Sequence, residues 1–378
     1  MAKSALIGKI ISRNWEWISG RYNSHILRNL DAIQRCRTAS LGGHVYACNK
    51  CGGRHIRYNS CRNRHCPRCQ HTQKERWIAS RMSELIDCKY YHVVFTLPNE
   101  LNELTMAYPR QLYSLLFKCA WKTLEQFGWN GKYVGGQIGA TMVLHSWGST
   151  MSYHPHLHCI VPGGGIDLKG KWKQAKGKGK FLFPVKALSK VFRGKYVEGL
   201  ESFMESEGME LPLDFKSKLY KKDWVVYCKP PFGGPKVMVQ YLARYTHSIA
   251  ISHHRIKGYS SDNKLRISYK DYRHANQQKE LHLSVQEFIR RFAMHILPHG
   301  FTRIRHYGLM SSRWKTKINP EKKKPKLEWQ SLWKAKGLEV DSCPHCKIGK
   351  LNLVGLLLPT RGPPASLSIK RTLIKGNH

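Results

Sequence analysis

The sequence predicts an α+β protein with a metal-binding block at its N-terminus and a basic extension at its C-terminus. Three observations lead there. Runs rich in β-branched and aromatic residues alternate with stretches of helical periodicity. Cysteines stand in paired knuckle spacing near the start. Lys and Arg total 64 against 24 Asp and Glu, a formal charge of +40. A chain of 378 residues is long enough for two or three domains. Composition places them at 1–88, 89–275 and 276–378, with a basic insertion at about 166–235 inside the second.

The first 35 residues mix Ile, Trp and Leu with Arg and Asn at helical spacing, which predicts one or two helices. After the cysteine-rich block from Cys36 to His71, TQKERWIASRMSELID reads as an amphipathic helix. YYHVVFTLP at 90–98 reads as a strand stopped by proline, and 99–128 as helical. IGATMVLHSW and HPHLHCIVPGG read as two strands joined by a polar turn. GKWKQAKGKGKFLFP is a basic, glycine-rich loop or hairpin tip, followed by a helix at 185–206 and a strand around 224–228. VMVQYLARYTHSIA restarts helical periodicity, KLRISYKD reads as a strand, and LSVQEFIRRFAMHIL as a helix opened by a Ser and ended by Pro298. From 314 to 330, WKTKINPEKKKPKLEWQ is a basic, proline-containing linker.

A +40 chain attracts polyanions, which makes nucleic acid the expected partner. Hydrophobic residues at 41% imply packed domains rather than a disordered basic tail. No run reaches the about 18 uncharged apolar residues of a membrane span. Lys9 and Arg13 interrupt the only apolar stretch at the start, and no small-residue cleavage site follows. A cytoplasmic, nucleoid-associated protein is expected, with its cysteines held as metal thiolates rather than disulfides.

Cys48, Cys51, Cys66 and Cys69 form C-x2-C-x14-C-x2-C, in which two tight knuckles each present two sulfurs to one tetrahedral Zn2+. Four thiolates leave no open position, so this zinc is structural. Cys36, His44, Cys61 and His65 lie in the same block and are numerous enough for a second zinc site. The tail pair Cys343 and Cys346 supplies two ligands and needs partners from elsewhere in the fold.

His154, His156 and His158 recur at the strand period, so His156 and His158 project from one face and can chelate one ion, while Leu157 points into the core. An octahedral Mg2+ or Mn2+ wants further ligands. His145 on the preceding strand and Gln240 beside the tyrosines are the two candidates. Tyr241 and Tyr245 are four apart, which sets both hydroxyls on one face of a helix. No GxxxxGK[ST] phosphate loop occurs, so no nucleotide cofactor is expected.

Five blocks carry a resemblance: LGGHVYACNKCG with SCRNRHCPRCQ, HVVFTLP, HPHLHCIVPGGG, YLARYTHSIAIS and FIRRFAMHILPHGFTRIRHYG. In this order they resemble the rolling-circle transposases of the IS-ninety-one type, members of the HUH nuclease superfamily whose signature is His-hydrophobic-His. The resemblance implies an HUH nuclease-like central antiparallel sheet with flanking helices. It implies that His156 and His158 hold a catalytic divalent ion and that Tyr241 and Tyr245 are the nucleophiles. Single-stranded DNA would then be nicked and rejoined through a 5′-phosphotyrosine link, with transposon ends and target DNA as partners. Two other readings stay open. A rolling-circle replication initiator or conjugative relaxase would share the chemistry, and a non-catalytic zinc-finger nucleic-acid-binding protein would need only the charge and the cysteines. Tyr153 and Tyr269 are the next nucleophile candidates.

Overall fold

The computed structural model describes residues 6–82, 85–177, 181–230, 235–246, 249–271, 274–314 and 341–360, with Gly337 and Glu339. The basic linker predicted at 314–330 lies outside them from residue 315 on. Among the described residues no helix is long and apolar enough to cross a membrane. The chain divides into two compact units. One takes the described residues of Met1–Arg76, Ile251–Ile296 and Lys326–His378, and the other those of Trp77–Ala250 and Leu297–Pro325. These boundaries depart from the expected 1–88, 89–275 and 276–378, because the chain passes four times between the units.

The first unit opens with helices α1 (Leu6–Arg13), α2 (Trp15–Ser19) and α3 (Ser24–Arg35). Ile7, Ile10 and Ile11 bury one face of α1 at helical spacing. Asn23 caps α3 by accepting from the Ile26 N–H at 3.0 Å. Strands β1 (Gly43–Cys48) and β2 (Arg54–Tyr58) then form an antiparallel hairpin, and α4 (Gln70–Met82) follows.

The second unit is built on β3 (Tyr90–Thr96), α5 (Asn102–Ala107), α6 (Pro109–Trp129), β4 (Gly139–Trp147) and β5 (Tyr153–Pro162). Next come the small hairpin β6 (Gly164–Ile166) and β7 (Trp172–Gln174), then α7 (Val185–Ser206), α8 (Leu213–Lys221), β8 (Val226–Lys229) and α9 (Pro235–Thr246). The basic loop predicted at 170–184 thus contributes its first residues to a hairpin strand. The helix carrying the tyrosines stops at Thr246, short of the predicted 250.

The chain returns to the first unit with β9 (Ile256–Tyr259), β10 (Leu265–Asp271), β11 (Gln277–Leu283) and α10 (Val285–Ala293), an antiparallel sheet and a helix capped by Ser284. It supplies β12 (Ile304–Gly308) to the second unit and β13 (Leu351–Leu357) to the first, where β13 pairs with β1 on the edge opposite β2.

The central sheet of the second unit runs β12-β4-β5-β3-β8, antiparallel throughout. It is covered on both faces, which explains why β3, β4 and β5 read as nearly continuous apolar runs. On one face, α6 and α7 present buried stripes four residues apart, Leu112, Leu116, Ala120 and Leu124 against Leu188, Phe192, Tyr196 and Leu200. Phe95 meets Phe192 with ring centroids 4.9 Å apart, and the Tyr113 and Tyr153 hydroxyls are 2.6 Å apart. The opposite face carries α9, whose Tyr245 packs against buried Tyr90, Val143 and Ile160. Alternation along β5 therefore sends odd-numbered residues to the long helices and even-numbered ones to the tyrosine helix. The expected α+β class, with an antiparallel sheet between helices, is what the chain adopts.

Candidate active site and metal centres

His156 and His158 stand on β5, and the register sets His145 of β4 directly opposite His156. Cross-strand partners come within about 5 Å at Cβ, so three imidazoles converge. One ring nitrogen from each lies within 4.8 Å of the others. His156 Nδ1 is 2.7 Å from the His154 carbonyl oxygen. A carbonyl can only accept, so the proton sits on Nδ1 and the Nε2 lone pair faces His158 Nε2 at 3.1 Å. Two neighbouring ligands about 2.1 Å from an octahedral ion are about 3 Å apart, so these nitrogens fit a shared ion. Burial holds the His156 pKa down at about 4 and pushes that of His158 well below its usual value. Both rings are therefore neutral at pH 7, the state a metal requires.

Two residues without a predicted role complete this face. His92 of β3 is buried and reaches His158, Nε2 to Nδ1, at 2.9 Å. For His158 to present Nε2 to an ion, its Nδ1–H must donate to His92, which places the His92 proton on a buried Nδ1 that has no hydrogen-bond partner. Arg303, just before β12, donates from Nε to the Leu144 carbonyl at 3.0 Å and from Nη2 to the Tyr245 carbonyl at 2.9 Å. His145 Nε2 donates to the same Tyr245 carbonyl at 2.7 Å, which leaves Nδ1 as its lone-pair nitrogen. An orphan carbonyl in the last turn of α9 is thus satisfied by two donors, one of them cationic. His92 and Arg303 both lie inside quoted blocks, HVVFTLP and FTRIRHYG. Only the pairing of strands reveals what they touch.

Tyr241 and Tyr245 both face the histidines. The Tyr245 ring stacks on His158 with centroids 3.9 Å apart, and Tyr241 meets His92 edge-on at 5.2 Å. The Tyr245 hydroxyl donates to that of Tyr241 at 2.7 Å. Gln240 is exposed on α9, whereas His145 is buried beside the other histidines. Tyr153 lies on the opposite face of β5, bonded to Tyr113, and burial raises its pKa. Tyr269 belongs to β10 of the first unit.

The cysteines are arranged differently from the expected single site. Cys66 and Cys69 join Cys36 and Cys61, whereas Cys48 and Cys51 join Cys343 and Cys346. The reason is the length of β1. Arg37 and Asn59 are bonded at the Gly43–Tyr58 end of the hairpin, which puts Cys36 and Cys61 there, while Cys48 ends β1 five residues further along. At about 3.3 Å per residue that is about 17 Å, too far for one ion. Sulfurs about 2.3 Å from a tetrahedral ion are about 3.8 Å apart. Cys36 Sγ is 3.5 Å and Cys61 Sγ 3.6 Å from Cys69 Sγ. Bonding from Cys61 and Cys66 lowers the Cys36 pKa to about 7. The histidines suggested for a second zinc lie outside both clusters. His65 bonds Asn29 through Nδ1 at 3.0 Å, and His44 sits on β1 near Tyr46.

Comparison with known proteins matches this chain to one family. A profile for the family described as "Putative transposase" covers residues 139–317, which include β4, β5, α9 and β12. A profile described as "Transposase zinc-binding domain", of the IS91 type, covers residues 10–97. The "Putative transposase y4qJ" of Sinorhizobium fredii is 38% identical, over 89% of this chain and 91% of its own length. The transposase for insertion sequence element IS801 of Pseudomonas savastanoi pv. phaseolicola is 30% identical, over 74% of this chain and 68% of its own. Among solved structures, the conjugative relaxase TrwC complexed with a 27-mer DNA matches 42% of this chain and 75% of its own at 12% identity. Its TM-score of 0.23 is too low to transfer fold or chemistry. At these identities and coverages, the chain belongs to the IS91-type family of insertion-sequence transposases.

Proposed function

We propose that this transposase nicks and rejoins single-stranded DNA through tyrosine. The single observation that carries the reading is the convergence of His145, His156 and His158 with Tyr241 and Tyr245 on one face of one sheet. A Mg2+ or Mn2+ held by His156 and His158, with His145 as third ligand, would supply Lewis-acid polarisation of the scissile phosphate. The zinc of the N-terminal domain is assigned to Cys36, Cys61, Cys66 and Cys69, where it replaces a core that so polar a segment lacks.

A phenol oxygen bonds to phosphorus, the bond to the 3′ oxygen breaks, and that oxygen takes up the proton the phenol releases. The 5′-phosphotyrosine conserves the bond energy of the phosphodiester, so the reverse step rejoins strands without a nucleotide cofactor. Stacking on His158 and the pinned end of α9 hold Tyr245 at the site, and the hydrogen bond keeps Tyr241 within reach of the same phosphate. Two equivalent nucleophiles suit a reaction with two strands, one from the transposon end and one from the target.

Incubation with labelled single-stranded DNA and Mg2+ or Mn2+, resolved on denaturing gels, tests this. The wild type should give a covalent adduct, and Tyr241→Phe/Tyr245→Phe should give none while binding DNA normally, because Phe keeps the ring packing and deletes only the oxygen. An adduct in the double variant would show that the nucleophile lies elsewhere. Loss of adduct with His156→Ala at unchanged DNA affinity would support the metal assignment.

A further inference from the structure

We propose that Cys48, Cys51, Cys343 and Cys346 form a second tetrathiolate zinc site, which fastens the C-terminal segment to the N-terminal hairpin. The matched zinc-binding domain ends at residue 97, so half of these ligands lie outside it. Cys48 Sγ is 3.6 Å from Cys346 Sγ, and Cys51 Sγ is 3.8 Å from Cys343 Sγ, the spacing of sulfurs around one zinc. Four thiolates close the coordination sphere, which makes the site structural.

The backbone supports the same conclusion independently of the sulfur distances. The two knuckles repeat one turn. The Gly52 N–H donates to the Cys48 carbonyl at 3.1 Å, and the Lys347 N–H to the Cys343 carbonyl at 2.9 Å. Gly52 has φ +67° and Lys347 has φ +61°. Lysine has no intrinsic reason to adopt a left-handed conformation, so its strain is held by the surroundings of Cys346. Backbone N–H groups point at the sulfurs as they do toward thiolates, from Lys50 and Cys51 to Cys48 at 3.4 and 3.5 Å and from Gly349 to Cys346 at 3.3 Å. Gly349 lies so close to Cys48 Sγ that a side chain there would collide with it. Beyond the second knuckle the chain pairs with β1 as β13, from Cys48↔Leu351 to Gly43↔Leu357. Zinc and strand together close a loop in which Cys51 and Cys343 are 292 residues apart. The site is therefore a clasp that completes the first unit only after the chain has been made through β13.

The test uses the full-length, zinc-loaded protein. Titration with an organomercurial releases thiolate-bound zinc and leaves histidine-bound metal in place. Two zinc ions per chain are expected from the wild type and one from Cys343→Ser/Cys346→Ser, and Cys343→His should keep two. One ion in the wild type, or two in the double serine variant, would overturn the proposal. Should the serine variant aggregate, alkylation of the wild type decides. Cys51 is exposed and Cys346 is half-buried, so burial alone does not shield them. Resistance to iodoacetamide that ends together for Cys48, Cys51, Cys343 and Cys346 on adding a strong zinc chelator is the expected result. Labelling of Cys343 and Cys346 in the zinc-loaded protein at the rate seen after chelation would refute the site.

Discussion

Arg303 shows how much of the site rests on residues whose contacts no local pattern reveals. Its guanidinium joins two carbonyls, that of Leu144 within β4, next to His145, and that of Tyr245 at the end of the tyrosine helix. A planar fork serves both in one fixed geometry, whereas a lysine ammonium is a point charge on a flexible stem and fixes no such geometry. Arg303→Lys should therefore slow adduct formation about tenfold or more and destabilise the second unit by about 1–3 kcal/mol, the cost of a buried acceptor left unpaired. An adduct rate equal to wild type, measured at saturating DNA, would rule out a positioning role. At this scale strand and helix periods set His156 with His158, and Tyr241 with Tyr245, on one face each, while the roles expected of them came from the family resemblance. His92 stayed hidden because nothing local distinguishes it. Its contact with His158 exists only in the register that sets Val94 opposite His158. Cysteine spacing identified thiolate zinc but could not say which knuckles share an ion, since that depends on the length of the strand between them.

Elements differ in legibility according to how much of their surface is buried. β4 and β5, covered on both faces, read as apolar runs, whereas the edge strand β12, with the sequence IRHYG, is half-buried throughout, shows no apolar alternation and gives no strand signal. β11 and β13 are exposed along most of their length and were equally silent. The three-strand sheet of β9, β10 and β11 offers a test of its own. The turn before β9 is tied to β10 by Arg255 Nε donating to the Ser268 carbonyl at 2.8 Å, and it carries His253. Burial, then the charges of Arg68 and His254, lowers the His253 pKa from 6.5 to about 4, and neither of its ring nitrogens has a hydrogen-bond partner. The unfolded chain thus takes up a proton at a pH where the folded one does not. The stability His253 contributes is complete above pH 6.5 and is lost as pH falls from 6.5 toward 4. Denaturant midpoints across that range should decline more steeply for the wild type than for His253→Gln, and parallel curves would show that His253 is not the titrating group.

On the scale of the whole molecule, the two units are interleaved along the chain. Residues 251–296 return to the first unit and 297–325 to the second. A reading by segments expects domains in series and has no means of seeing that order, because what unites distant segments is pairing such as β13 with β1 and β12 with β4. Net charge, by contrast, is legible without any fold, and it makes a prediction about the intact protein. A +40 chain that tracks a single strand neutralises several phosphates and releases their counterions. For single strands, log K falls with log salt by about 0.7 per phosphate contacted. Some six to ten contacts would thus weaken binding on the order of 10²–10⁴-fold between about 50 and 200 mM salt. Tyr241→Phe/Tyr245→Phe should follow the same slope as the wild type if, as proposed, the phenols act on one phosphate while the affinity comes from distributed Lys and Arg. A flat salt response in both proteins would mean that the excess charge serves something other than DNA. A slope that changed only in the tyrosine variant would place the phenols in binding rather than in chemistry.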